Sequence, residues 1–447
     1  MGNDRMGLSE LLGTSFACDC GRVHDVPVRR LMYERGAVDA LPKIISQNCG
    51  NARHVAIVVD VRTWDVCGRQ AQDVLQKAGI DTVRVLIPDR LNAGPMCDDV
   101  TVQLLVQQLR RVEPDLVVAV GSGAINDLSK WAAFQLEIPY LVVATAASMN
   151  GYSSANVAPT IGGVKMLIEA RAPLAVLAEP RIIEQSPAEM IAAGFGDTIA
   201  KHQSTADWVM NRSLSGEYYC KFCAGILGRL EPLYLEHPED IRDRRPEAVR
   251  GLFEALFWTG MAMTLMGTSV PASGGEHLFS HTLDMIAELH GERHDLHGRQ
   301  VGLGTVLSAA LYQKVLALDS PALNPLPPAI DERLWSLPSV AAAVAEQYKA
   351  KQQRLEPIRQ RIAQRDAWNR LRTELAAEAK SPETIHTWLR RAGAAVSMVD
   401  IGCSRERIKA ALLHMHEIRK RFTIVDLAWL CGVLPAAADG LIDQWLV

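Results

Sequence analysis

Four short runs of β-branched and aliphatic residues between positions 54 and 145 alternate with stretches of helical periodicity, and this constrains the fold more than any other feature. The runs are HVAIVVD (54–60), VRVLIP (83–88), DLVVAVG (115–121) and YLVVAT (140–145). Such short, largely apolar runs suit parallel strands buried on both faces. Between them, residues 98–112 carry Val102, Leu105, Val106 and Leu109 at helical spacing, and 121–136 leads from a glycine turn into a helix. A further run, LAVLAEP (174–180), follows. The alternation predicts an α/β domain built on a doubly wound, mostly parallel sheet.

After Ser186-Pro187 the strand pattern stops and helical patterns take over. Residues 250–267, RGLFEALFWTGMAMTLMG, are apolar nearly all round and read as a buried helix. Pro321, Pro325, Pro327 and Pro328 mark a loop, and 338–380 reads as charged amphipathic helix whose charges form a solvated face or a helix-pair surface rather than an RNA site. With 447 residues, 48% of them hydrophobic, the chain can fill two cores. The expected organisation is a dinucleotide-binding α/β domain over 1–185 and an all-α domain over 186–447, with the active site in the cleft between them.

Open parallel sheets bind ligands beyond the carboxyl ends of their strands. Asp60, the Gly121-Ser122-Gly123 turn and Thr145–Ser148 should meet there. The glycines would let backbone N–H groups approach a pyrophosphate at a helix N-terminus, and Asp60 could accept hydrogen bonds from a ribose. The turn is not a G-x-G-x-x-G fingerprint, because Asn126 stands three residues after Gly123. Residues 149–170 read as a hairpin or excursion, with a turn signal at Asn150-Gly151.

The chemistry-bearing stretch is SGGEHLFSHTLDMIAELHGERHDLHG, 273–298. His277 and His281 stand four apart, on one face of a helix. His297 follows, and Asp197 in a Gly-Phe-Gly-Asp step offers a carboxylate from another helical stretch. A carboxylate and imidazoles from separate elements make a divalent-metal site, with three imidazoles open as ligands on these grounds. His290 and His294 fall in a predicted loop and read as surface residues.

Near the N-terminus, Cys18, Cys20 and His24 have the side chains of a zinc site in a C-x-C pattern, but no fourth ligand is evident. The competing reading, a strand with incidental thiols, is favoured on spacing alone. Nine cysteines, most of them scattered, favour a reducing compartment. The opening MGNDRMGLSELLG lacks an apolar signal core, and no run of 18 apolar residues occurs, so the expected location is the cytoplasm, without a membrane partner. A formal charge of −4 gives no support to a nucleic-acid partner.

Five motifs together resemble one family: VVAVGSGAINDLSK (117–130), TAASMNGYSS (145–154), AAGFGDTIAKHQSTADW (192–208), PASGGEHLFSHTLD (271–284) and HGRQVGLGT (297–305). They are similar to the sn-glycerol-1-phosphate dehydrogenases, bacterial branch, within the superfamily of iron-containing alcohol dehydrogenases, glycerol dehydrogenases and dehydroquinate synthases. The resemblance runs from about residue 16 to the end and includes RKRFTIVDLAWLCGVL (419–434). It implies Asp197, His277 and His297 as metal ligands, and His281 beside substrate and nicotinamide rather than on the metal. It further implies that Gly121, Ser122, Gly123, Ala124, Ile125, Thr145 and Ser148 contact NAD or NADP. Asp60 would lie on the adenosine side and Ser154 near the nicotinamide. The metal implied is zinc, with nickel or iron as alternatives, and the reaction is reduction of dihydroxyacetone phosphate to sn-glycerol 1-phosphate.

Two positions depart from the family pattern. Asn150 stands where an aspartate that contacts substrate is usual, losing a charge and gaining an N–H donor. Ser122 and Ala124 interrupt the usual triple-glycine turn and its following polar residue. Asn150 opens two alternatives: a related dehydrogenase acting on another polyol or sugar phosphate, or a non-catalytic ligand-binding homologue. Asp60 leans the reading towards NAD, since a carboxylate repels a 2′-phosphate. A homodimer is the expected assembly.

Overall fold

The computed structural model of the chain describes residues 7–50, 52–90 and 94–447. The first six residues, part of the opening segment read for a signal, lie outside the described residues. The described chain folds as two compact units. The first is 1–161, 166–194 and 225–268, and the second is 162–165, 195–224 and 269–447. The sequence reading divides the chain once, near residue 185; in the structure, 225–268, with the buried Pro246–Met266 helix, belongs to the first unit.

The first unit is built on six parallel strands. In chain order they are β1 (Arg30–Tyr33), β2 (His54–Val59), β3 (Asp81–Leu86), β4 (Leu116–Gly121), β5 (Tyr140–Ala144) and β6 (Ala175–Ala178). Their order across the sheet is β1-β6-β5-β4-β2-β3, with every neighbouring pair parallel. Five of the six lie at the expected apolar runs. The edge strand β1, RLMY, was missed because one of its four residues is an exposed arginine and it reads as mixed polar chain. The central β4 is buried at every position, as its unbroken apolar run requires. One face of the sheet packs Val55, Ile57, Val59, Val118, Val120, Leu141, Val143 and Leu177 against the Leu41–Asn48 helix.

This order places a topological switch between β2 and β4, because the connection from β2 runs to one side and β4 lies on the other. Ligands bind at such a switch in doubly wound sheets. Asp60 follows β2 and Gly121 ends β4, so both stand at its carboxyl edge. The excursion over 149–170 forms, with short strands at Asn156–Val157 and Ile168–Glu169 paired antiparallel. Asn150-Gly151 is not the hairpin turn expected there, since β5 and the Asn156–Val157 strand are not paired with each other.

The second unit is helical. Gly275–Leu289 and His297–Leu316 pack along each other, with Lys201–Ser215, Pro382–Arg391 and Ile424–Leu430 against them. The 338–380 stretch is three helices, Pro338–Gln352, Leu355–Ile362 and Arg365–Glu378. Its charges are not all solvated: Lys351 is buried and pairs with buried Asp426 at 2.8 Å. Among the described residues no helix is long and apolar enough to cross a membrane.

Candidate metal centre and dinucleotide loops

Three helices each supply one side chain, all from the second unit, to a cluster in which Asp197 and His277 are buried and His297 is half-buried. Asp197 lies near the end of Ala188–Ile199, His277 in the first turn of Gly275–Leu289, and His297 opens His297–Leu316. One ligand atom from each lies within 4.8 Å of those of the other two. The helices meet this closely because of glycine. A Cβ on Gly196 would stand 2.2 Å from the Gly298 carbonyl oxygen, and one on Gly304 would stand 2.5 Å from that of Glu276. No side chain can occupy that space, so the residue before Asp197 has to be glycine for the carboxylate to reach His297.

The start of the Gly275–Leu289 helix is pinned by Asp207. Its carboxylate accepts hydrogen bonds from Gly275 N (2.8 Å), Ile424 N (2.8 Å) and Tyr312 Oη (2.5 Å). His277 is then held at both ring nitrogens. Nε2 lies 3.2 Å from Asp197 Oδ1, and Nδ1 lies 2.9 Å from Glu276 Oε1. Burial works against charge on His277, but the bonds to Asp197 and Glu276 outweigh it and carry its pKa up to about 9. Glu276 is fully buried and its other oxygen has no hydrogen-bond partner. Two buried carboxylates on one imidazole leave negative charge that a cation would balance.

His297 Nδ1 lies 3.0 Å from Ser280 Oγ, and Ser280 is also tied to the Gln300 amide. With the amide nitrogen of Gln300 turned inward, it donates to both Ser280 Oγ and Asp284 Oδ1 (3.0 Å). Burial pushes the His297 pKa down to about 4. Both histidines thus have one nitrogen tied to a polar partner, the arrangement that orients imidazole ligands on a metal. The donor set of one carboxylate and two imidazoles suits zinc, nickel or iron and fits a divalent cation.

His281 shares the face of His277, as its spacing predicts, with ring centroids 6.3 Å apart, and it stacks on His297 at 5.5 Å. Its Nδ1 is buried without a hydrogen-bond partner. Burial, with the neighbouring charges of His297, Arg419 and Lys165, holds its pKa well below the usual imidazole range. Lys165 also pairs with buried Asp284 at 3.4 Å. His294, read as a surface residue, is exposed but reaches the same carboxylate at 3.4 Å. His290 is exposed and bonds only its own helix, to Ile286 O.

The first unit gathers the other set. Ser122 precedes the Gly123–Gln135 helix without capping it through its side chain, which leaves the first N–H groups of that helix without a side-chain acceptor there. Its hydroxyl instead meets Ser148 Oγ at 2.8 Å, joining the loops after β4 and β5. Thr145 N donates to Gly121 O at 3.3 Å. Gly123 has open space where a Cβ would stand, and Ala124 and Ile125 continue the first turn. An uncapped helix start at a switch point fits a pyrophosphate.

Asp60 is already engaged. It caps the following turn through Thr63 N (2.7 Å) and pairs with Arg62 at 2.6 Å, which in turn pairs with Asp89. Arg62 is shared between Asp60 and Asp89, one positive charge against two negative, so the net negative charge on which the expected lean towards NAD rests remains. Ser154 is buried against Lys130, whose ammonium donates to Gly151 O (2.7 Å), Ser154 Oγ (3.1 Å) and Asn156 O (3.1 Å). Asn150 is half-buried, and its carbonyl would meet a Cβ on Gly260 at 2.2 Å. Sequence reasoning missed Lys130, Arg62, Glu276, Asp284, Lys165 and Arg419. Lys130 had a signal, a lone cation at helical spacing from Asn126 and Asp127 in an apolar segment.

A family model described as iron-containing alcohol dehydrogenase matches residues 32–187. A glycerol-1-phosphate dehydrogenase (NAD(P)+) of Geobacillus stearothermophilus is 33% identical over 425 residues, covering 94% of this chain and 96% of its own. One of Bacillus subtilis is 30% identical over 399 residues, covering 89% and 90%. Among solved structures, a probable glycerol dehydrogenase from Sinorhizobium meliloti 1021 superposes with a TM-score of 0.60 at 15% identity, covering 93% of this chain and 96% of that one. The last likeness is one of fold. With relatives of such identity along nearly its whole length, the chain belongs to the glycerol-1-phosphate dehydrogenase family and is an NAD(P)-dependent oxidoreductase of that kind.

Proposed function

We propose that the protein reduces dihydroxyacetone phosphate to sn-glycerol 1-phosphate with NADH or NADPH, using a divalent cation on Asp197, His277 and His297. The observation that carries this reading is the three-helix cluster, with two carboxylates gripping one imidazole. Zinc is the first choice of cation, and nickel or iron accept the same donors. Bound there, the cation would stabilise negative charge growing on the carbonyl oxygen by several kcal/mol while the dinucleotide supplies the hydride.

The chain's own residues do the rest. Asp197, His277 and His297 hold the cation, Glu276 fixes the ring of His277, and Ser280 fixes that of His297. His281, kept neutral by its burial, is the group to relay a proton to the product oxygen, taking one from solvent at one ring nitrogen as it gives up the proton on the other. Lys165 and Arg419 put positive charge next to His281, which suits a phosphorylated substrate. The dinucleotide pyrophosphate is assigned to Gly121–Ile125 with Thr145 and Ser148, the adenosine ribose to Asp60, and the nicotinamide end to Ser154. The NAD(P)+ naming of the relatives supports use of both NADH and NADPH. A homodimer is the assembly proposed.

Asn150 supports a second reading, in which the same centre acts on another polyol or sugar phosphate. Steady-state assays over phosphorylated and free ketones separate the two. The first reading expects kcat/KM for dihydroxyacetone phosphate at least about tenfold above free dihydroxyacetone, as one charged hydrogen bond to phosphate would give. It also expects Asn150→Asp to change that value little. A large gain on Asn150→Asp would assign the native enzyme to a different substrate. The intact metal cluster speaks against a non-catalytic homologue.

A further inference from the structure

The Cys18, Cys20 and His24 motif plays no part in the chemistry above, and the first unit gives it a specific geometry. Ser15–Ala17 and Val23–Asp25 pair antiparallel, with Phe16 opposite His24. The chain reverses over Asp19, Cys20 and Gly21. Cys18 N donates to Arg22 O (2.9 Å), and Gly21 N donates to Cys18 O (2.9 Å). Gly21 closes the turn at φ +85°, a conformation costly for any residue with a Cβ.

The result is a cluster. One ligand atom from each of Cys18, Cys20 and His24 lies within 4.8 Å of those of the others. Cys20 Sγ stands 3.3 Å from His24 Nε2. Ligands on a tetrahedral zinc, with Zn–S about 2.3 Å and Zn–N about 2.0–2.1 Å, are roughly 3.6 Å apart. The pair is therefore already near ligand spacing. His24 is buried, 2% exposed, and its other nitrogen, Nδ1, lies 3.2 Å from the carbonyl oxygen of Leu265. A carbonyl can only accept, so the proton sits on Nδ1 and the lone pair of Nε2 faces the thiols. That tautomer, fixed by a carbonyl behind the ring, is the one a histidine needs as a metal ligand.

The geometry points to a second, structural metal site on this hairpin, with Cys18, Cys20 and His24 as ligands to zinc. Two thiolates and an imidazole select zinc over hard cations. They also differ in kind from the Asp197, His277 and His297 set, which has no sulfur. Three donors leave one tetrahedral position for a water or a further thiol. Metal binding displaces the thiol protons and ties the turn to the strand behind it. The competing explanation is a thiol–imidazole hydrogen bond with no metal.

The full-length protein is loaded with cobalt(II) in place of zinc. The site predicts a sulfur-to-cobalt charge-transfer absorption that persists in His297→Ala and disappears in the Cys18→Ser, Cys20→Ser double variant. The double variant should lose one metal equivalent and keep NADH turnover within about twofold. Should that variant fold poorly, alkylation mapping of the wild type provides the second readout. Zinc should protect Cys18 and Cys20, and a third protected cysteine would be the fourth ligand. The proposal is overturned if the charge-transfer band is absent from the wild type or survives in a folded double variant. Unprotected Cys18 and Cys20, or a Cys18–Cys20 disulfide in the native protein, would overturn it too. None of these readouts depends on which ketone the enzyme reduces.

Discussion

At the residue scale, the candidate centre rests on a pair of carboxylates that share one ring. Glu276 precedes His277 in sequence, and its oxygen holds Nδ1 so that Nε2 faces Asp197. Glu276→Gln should weaken metal binding about 10–100-fold without removing a ligand, read by competition with a chelator. Wild-type affinity in this variant would reduce Glu276 to a buried helix-start residue. His281 and His297 should separate by the opposite outcomes. His297→Ala should lose metal and turnover together. His281→Ala should keep its metal and slow turnover by about 10²–10⁴. Metal loss in His281→Ala would exchange the assignments. The candidate triad could be singled out in the sequence only with the family's help, since spacing left three imidazoles open. The structure brings Asp197, His277 and His297 together and sets His281 beside them. Glu276 was not legible at all, because neighbours in a helix point about 100° apart and adjacency does not predict contact.

At the element scale, the centre depends on how closely two helix starts approach the end of a third. Asp207 is the anchor, with donors from the Gly275–Leu289 helix, from Ile424 and from Tyr312 on the His297–Leu316 helix. Asp207→Ala would leave two buried backbone N–H groups and a buried hydroxyl without that acceptor. At about 1–3 kcal/mol for each unsatisfied group, it should cost at least about 3 kcal/mol. Urea unfolding monitored through the tryptophans measures this. A loss under about 0.5 kcal/mol would mean that other acceptors replace it. In the first unit, strands with unbroken apolar runs, such as β4, were legible from composition alone. The edge strand β1 was not, because its neighbour in the sheet is β6, about 145 residues on in sequence. The Asn150-Gly151 turn signal was misleading for the same reason. Local turn propensity was set aside by Lys130, which gathers the Gly151 and Asn156 carbonyls from below.

At the scale of the whole molecule, the two units carry complementary equipment. The first has an uncapped helix start at the switch point of a parallel sheet, and the second has a candidate cation site with Lys165 and Arg419 near it. The change from strand to helix patterns along the chain made the parallel sheet and the largely helical region after it readable. The return of 225–268 to the first unit was not readable, because an apolar helix carries no mark of the core it joins. The central claim is metal-assisted reduction of dihydroxyacetone phosphate. It is tested most directly by stripping the protein of metal and titrating zinc or nickel back while NADH oxidation by dihydroxyacetone phosphate is followed. The account predicts no turnover in the stripped protein, recovery as the Asp197, His277 and His297 site fills, and no recovery in His297→Ala. Full turnover in the metal-free protein, or recovery in His297→Ala equal to wild type, would contradict it.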